Sequence, residues 1–435
     1  MKTVCNRHDR DLCACTLRPA LLLGLFLLTA SNVAEAGSGG SVYSRFGIGD
    51  IRHYPGERYA AMGGAGIAVL SHNSVNTLTP AGWTMLNRTR YVIGGMYEGY
   101  VVRDANASTY LSSGVFNGAV LAVPLSMPNG IVLGIGLVPY SVVNYNLMTR
   151  VTDPLQSYTL QYVGEGGLSS AFIGLSAILT PDWHVGFRAN YLFGSVENRI
   201  LQTFGSAQYT DAVASHFTRM KGLGGTLGVI FSGLGEALGW PDSRSASVGI
   251  VFDTGVRLKA TEESLYEYSV GGSITGRDTV AGLSGRIVLP ISLGVGTSYT
   301  VKDEVVLACD LFYQNWNDFE AFGAHPPELR DSYRMSFGLE FLPRRDVMAT
   351  YFTRVAYRLG LFYSADNLRL AEKGIDEIGL TAGAGLPLFD ETLLGIGVEY
   401  SLRGTTANQL VKDNILRISF TLNGGERWFM RFEEE

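Results

Sequence analysis

Beyond residue 37 the chain has no apolar run long enough to cross a bilayer as a helix, which takes about 20 residues. Apolar and polar residues instead alternate through most of its length. In TLLGIGVEYSLR, residues 392–403, Leu394, Ile396, Val398, Tyr400 and Leu402 share one face, while Gly395, Gly397, Glu399, Ser401 and Arg403 share the other. YRMSFGLEF (333–341), WHVGFRANYLF (183–193) and NILRISFTL (414–422) repeat the pattern. A period of two is that of a strand with one apolar and one polar face. A soluble sandwich and a membrane barrel both satisfy it.

Four features favour the barrel. The polar face is rich in glycine and carries charge of both signs, at Arg188, Asp253, Arg257, Glu340, Arg354, Arg358, Glu399 and Arg403. Aromatic residues fall near strand ends, at Trp183, Tyr299, Tyr313, Trp316, Tyr333, Tyr351 and Tyr363, as in interfacial girdles. The stretches run to roughly 10–20 residues, beyond the usual ~5–6 of a globular strand. Short connections such as SMPNG, TPD and LFDET alternate with longer polar ones, such as 264–286 and 317–330. The connection 232–244 breaks this alternation. Only 17% of residues are charged, and 54 are glycine. The expectation is an all-β fold, a transmembrane antiparallel barrel of about 14 strands, spanning residues 91–423. One of its strands, 156–179, contains GEGG and is open to splitting.

Residues 1–36 have the form of an export signal. Basic residues precede the apolar core LRPALLLGLFLLTA, and Ala34-Glu35-Ala36 offers a cleavage site. Three of the four cysteines leave with it, so Cys309 has no partner for an intramolecular disulfide. Cys309 alternates with Leu307 and Leu311, which places it on the lipid face. Residues 37–90 precede the first strand and contain apolar side chains that need burial, among them Phe46, Met62 and Trp83. The barrel lumen is the natural place, so 37–90 is expected as an N-terminal plug. The alternative is a small periplasmic domain. Residues 424–435 are expected as a periplasmic tail. The stretch RYAAMGGAGIAVL lacks the third glycine of a dinucleotide fingerprint and the Gly-Lys-Ser/Thr of a phosphate loop.

The beginning of this segment carries a resemblance. YSRFGIGD, RYAAMGGAGIA and SVNTLTPAGW look like the start of the FadL/TodX-type outer-membrane transporters. GEGGLSSAFIGLSA and RISFTLNGGERWF are similar too. The resemblance implies a 14-stranded barrel with an N-terminal hatch that carries long-chain fatty acids or other hydrophobic compounds across the bacterial outer membrane. Pro80 and Ala81 match the family's Asn-Pro-Ala hatch motif, but Thr79 stands in place of the asparagine. The family's third strand is kinked beside a lateral opening. Pro139 is the candidate for that kink, since proline removes a ladder donor, with a strand end at the rim as the other possibility. The candidate ligand and gating residues are therefore Phe46, Met62, Gly63, Gly64, Gly66, Pro80, Ala81, Trp83 and Pro139.

The six histidines form no metal-ligand motif, and no G-x-S-x-G elbow occurs. His184 is expected to be a solvated or hydrogen-bonded lumen residue. No catalytic residue, metal or cofactor is expected, and a net charge of −6 gives no nucleic-acid footprint. The expected partners are a hydrophobic small molecule and outer-membrane lipids, with the chain a monomer. The leading reading is a non-enzymatic, passive transporter of hydrophobic compounds in the outer membrane. The alternatives are a FadL-like barrel in a protein secretion apparatus, a general diffusion porin, and an outer-membrane hydrolase using His184.

Overall fold

Alternation over this length leaves open sheet edges unless the sheet closes, and in a bilayer it must close. The computed structural model shows that closure. It describes residues 39–426 except 54–55, 106, 153–155, 207, 241–245, 303, 343–349 and 389–390. The expected signal segment and residues 427–435 of the expected tail lie outside the described residues.

Fourteen antiparallel strands form the ring. In chain order they are β1 (Thr89–Arg103), β2 (Ser108–Ser126), β3 (Ile131–Thr152), β4 (Ser157–Thr180) and β5 (Trp183–Phe204). Next come β6 (Asp211–Phe231), β7 (Ala246–Asp253 with Val256–Val270), β8 (Ser273–Leu289 with Ser292–Val301) and β9 (Val305–Gln314). The ring ends with β10 (Ser332–Phe341), β11 (Ala356–Leu370), β12 (Lys373–Pro387), β13 (Leu393–Gly404) and β14 (Lys412–Glu426). Each pairs with the next, and β14 closes on β1 from Lys412↔Arg103 to Glu426↔Thr89.

Burial along each strand is inverted relative to a soluble protein. On β12 and β13, Leu380 is 67% exposed and Tyr400 is 49%, whereas Thr381 and Glu399 are each 5%. The exposed apolar row runs around the ring, as a lipid-facing band requires. Cys309 is free and exposed within it.

Strand β4 is a single strand through Gly164–Gly167, so the ring stays even. Gly166 and Gly167 take φ values of 111° and 139°. A Cβ at Gly167 would come within 2.2 Å of the Ser141 carbonyl oxygen. These glycines let β3, β4 and β5 approach where the sheet bends.

Several expectations need correction. The stretch 264–286 is not a loop. It continues β7 and β8 into a tall hairpin that turns at Gly271 and Gly272, both at positive φ, as a two-residue hairpin turn demands. Arg257 faces outward rather than into the lumen, because β7 and β8 are both broken, at Thr254–Gly255 and Pro290–Ile291. The breaks lie side by side and shift each strand by one residue, so Val256, Leu258, Ile287 and Leu289 are buried above them while Arg257 is exposed. A one-residue slip exchanges the faces. Trp316 is not a girdle residue. It is 1% exposed and packs inside with Phe319. Arg354 lies in the short helix Tyr351–Arg354 before β11 rather than on a strand. The long connection after β6 contains the one-turn helix Leu234–Ala237.

Candidate functional site

Residues 39–53 and 56–88 contact the inward face of the ring. Their side chains and backbone bond to inward groups on strands spread around the barrel. On one side the bonds are ionic. Arg52 makes a bidentate pair with Glu98 of β1 at 2.6 and 2.7 Å. Asp50 accepts from Arg403 of β13 at 3.0 Å, and Arg403 also reaches Asp366 of β11 at 2.9 Å. Arg358 of β11 joins Glu57 at 2.7 Å to Glu340 of β10 at 2.9 Å, and Arg58 joins Glu340 at 2.6 Å. Arg417 of β14 bonds Glu98, Glu377 and Glu399. The guanidinium is suited to such multiple recognition of carboxylates in a desolvated place.

On the other side the contacts are backbone and apolar. Asp50–Ile51 form a two-residue strand on β3, with Asp50 opposite Val142 and Ile51 opposite Ser141. They occupy an edge that β2 leaves. The β2–β3 ladder runs from Ser126↔Ile131 only to Ala119↔Leu137. Beyond it, β2 stays with β1 and β3 with β4. The β3–β4 register shifts between Pro139 and Ser141, so Pro139 sits at a bulge where the wall parts. Gly40 donates to the Asn144 carbonyl at 3.0 Å and Arg52 to that of Tyr140 at 2.9 Å.

The candidate residues separate into four sets. Met62, Gly63 and Gly66 lie against the wall. Gly63, at φ 70°, donates to Thr381 Oγ1 at 2.9 Å, and Met62 lies over Gly338. Gly66 and Ile67 both donate to Asp310 Oδ2 of β9, at 2.7 and 2.9 Å. Pro80, Ala81 and Trp83 form a buried turn of 3-10 helix beside β5 and β6. Phe46 packs half-buried against the upper apolar cluster. Only Gly64 and Pro139 of the nine line the larger cavity. His184 is buried, with Thr84 Oγ1 at 2.8 Å from its Nδ1 and Ser232 Oγ at 3.3 Å from its Nε2.

That cavity holds about 1210 Å³ of empty space. Ile51, Leu78, Val138, Pro139, Tyr140, Leu192, Val256 and Leu289 line it, together with His53, Arg188, Asp253, Asp310 and Arg334. Arg188 bonds Thr226 Oγ1 at 3.1 Å and the Thr77 carbonyl at 3.4 Å. A second space of about 1060 Å³, lined by Glu377, Glu399, Arg403 and Arg417, shares Ile51, Arg52 and His53 with the first. His53 therefore stands between them. Burial, and then the nearby Arg334, push its pKa down to about 3, so it borders both spaces as a neutral imidazole.

Sequence reasoning missed Arg52, His53, Asp310 and Asn76. Asn76 lies three residues before Thr79, outside the hatch motif. Asn76 ties the segment together, donating to the Gly66 and Val69 carbonyls and accepting from the Leu78 and Thr79 amides. Its own carbonyl accepts from Trp83 Nε1 at 2.6 Å. Asp310 was readable, since it alternates with Cys309 on the inward face of β9.

The model of the BamG family matches residues 17–433. This chain belongs to the BamG family. Among curated proteins no sequence matches. Among solved structures, this BamG-family barrel is similar to the toluene transporter TodX of Pseudomonas putida, with a TM-score of 0.58 at 16% identity, over 88% of this chain and 100% of that one. It is similar to the toluene transporter TbuX of Ralstonia pickettii, with a TM-score of 0.57 at 14% identity, over 85% and 98%. A FadL homologue of Pseudomonas aeruginosa gives 0.56 at 12% identity, over 86% and 98%. At such identities the likeness establishes the fold. The 14-stranded barrel that the resemblance implies therefore stands as the fold of this BamG-family chain.

Proposed function

We propose that this BamG-family protein is an outer-membrane barrel through which hydrophobic compounds, long-chain fatty acids or molecules like them, pass passively and leave sideways between β2 and β3. In this reading residues 39–88 act as the plug, and no residue does covalent chemistry. The observation that carries it is the interrupted β2–β3 ladder at Pro139, with an apolar-sided cavity behind it. An apolar molecule there has a route to lipid that avoids crossing water. Asp50–Ile51 occupy the open edge and so form the gate.

Locking the gate tests this. Asp50 and Val142 are directly opposed, and opposed strand residues have the ~4.5–5.5 Å Cα spacing that a disulfide accepts. Asp50→Cys with Val142→Cys, in a Cys309→Ser background, should take up labelled oleate when reduced and lose uptake when oxidised. A labelled small sugar should enter in neither state. Oleate uptake unchanged by oxidation would overturn the gate, and sugar entry would make the protein a porin.

A second reading is favoured by the buried ion pairs of Asp50, Arg52, Glu57 and Arg58. They hold the segment as a fixed part of the barrel, which suits a FadL-like component of a protein secretion apparatus. That reading expects no oleate uptake dependent on the protein in either redox state.

A further inference from the structure

Three cations stand in one row on the outer wall. Lys221 of β6 pairs directly with Lys259 of β7, and Lys259 pairs directly with Arg286 of β8. Their chain neighbours Met220, Leu258, Ala260 and Ile287 are buried toward the lumen, so the three side chains point outward, and all three are exposed. Like charges directly opposed on adjacent strands are unfavourable. Arg257, also exposed, adds a fourth cation one row closer to the barrel end that carries Thr89 and Glu426. The nearby carboxylates lie at the flanks. Glu263 is paired with Arg219 at 3.1 Å, and Glu320 stands opposite Val288. Among the described residues no ion pair is formed by Lys221, Lys259 or Arg286.

The row's height is fixed by what lies beneath it. Leu223 is 73% exposed, and Leu227, Ile250 and Leu293 are exposed below the cations. The far edge of this apolar band is marked by the paired rings of Trp183 and Phe231. From Phe231 to Lys221 the strand has the length of about 9–11 residues that crosses a hydrocarbon core. Phe193, opposite Lys221 in the register, puts an aromatic ring in the same row, as an interfacial girdle does. The cations therefore sit at headgroup level, at the barrel end away from Thr89 and Glu426. At the corresponding level of β9–β11 the wall presents Tyr313 and Tyr363 bonded to Asp331 and Asp376, so the cationic row belongs to one side.

We propose that Lys221, Lys259 and Arg286 bind the phosphate of an outer-leaflet lipid whose chains lie along Leu223, Ile250 and Leu293. This rests on the barrel spanning the outer membrane, not on transport. The phosphate supplies the negative charge that the row lacks. The two ammonium groups act as point charges, and the guanidinium adds a planar, bidentate donor.

The test uses the purified full chain in detergent micelles. The probes are a bisphosphorylated glucosamine lipid of the lipid A type, its dephosphorylated form and inorganic phosphate. Wild type should bind the phosphorylated lipid, and inorganic phosphate at equal concentration should not displace it. Each removed charge should weaken binding about fivefold, so the triple variant Lys221→Gln, Lys259→Gln, Arg286→Gln should lose it almost entirely. Lys373→Gln, at the opposite wall, should bind as wild type. Heat-modifiability on a gel reports that each barrel is folded. If the triple variant is not folded, Lys259→Gln alone carries the test, with a fivefold loss. Equal binding by the variants, or equal binding of the dephosphorylated lipid, would overturn the proposal. Displacement by inorganic phosphate would replace the lipid site with a free-anion site.

Discussion

The two walls of this barrel are built differently. The wall of β10–β14 with β1 faces the lumen with Glu98, Arg334, Glu340, Arg358, Glu377, Glu399, Arg403 and Arg417, all buried or half-buried. The wall of β3–β8 faces it with Val143, Leu168, Leu192, Met220, Leu258 and Leu289. The charged wall is short, with strands of 10 residues at β10 and 12 at β13. The apolar wall is tall, with 22 residues in β3 and 24 in β4. The N-terminal segment is bolted to the first by ion pairs and rests on the second by a two-residue ladder and apolar contact. Discontinuities gather on the second wall, at Pro139, at Thr254–Gly255 and at Pro290–Ile291. One wall anchors, and the other has room to change.

The largest effect should come from the anchor. Arg358→Met leaves Glu57, already pushed to a higher pKa by burial, without its guanidinium. Removing one partner of a buried pair costs about 3–5 kcal/mol, so the midpoint of urea unfolding should fall accordingly. Loosening of the segment should also appear as faster proteolysis within residues 39–88. An unchanged midpoint would remove the contrast between the walls. Leu258→Ala on the apolar wall should cost about 2–5 kcal/mol, toward the low end, since Val256 and Leu289 border the cavity and can relax into it. Proteolysis of the N-terminal segment should not change. The smallest energetic effect falls on the outer face. Lys259→Cys, in a Cys309→Ser background, should leave stability within about 0.5 kcal/mol and react with a membrane-impermeant maleimide on intact cells. Val256→Cys should stay unlabelled. The reverse pattern would restore the unbroken alternation expected from the sequence.

Those residues also show where sequence legibility ends. The fourteen-strand ring could be read because a period of two survives in nearly every strand, as in 392–403. Its failures lie where one inserted residue reverses the period. Thr254–Gly255 does this on β7, and Arg257 lies on the face opposite to the one an unbroken alternation predicts. The hairpin over 264–286 looked like a loop because both its faces are wet above the membrane, so polarity no longer distinguishes strand from turn. Inside the lumen the loss was larger. The partners of Arg52 and Asp310 are separated from them in sequence by tens to hundreds of residues, and no local pattern records such pairing. Asn76 was visible but attracted no notice, because its role is to satisfy four backbone groups of one irregular segment.

The seam between β1 and β14 bears on how the molecule comes into being. The strand that completes the ring is the last described one, and it meets the first along its whole length. Ser41 bonds Asp413, 372 residues away, and Arg358 bonds Glu57 across 301. Contacts of such separation are slow to form, because the loop-closure entropy comes before the reward. The N-terminal segment leads directly into β1, and its bonds to β11 and β14 join distant parts of the described chain as the seam does. Closing the ring and seating that segment therefore face the same entropic cost.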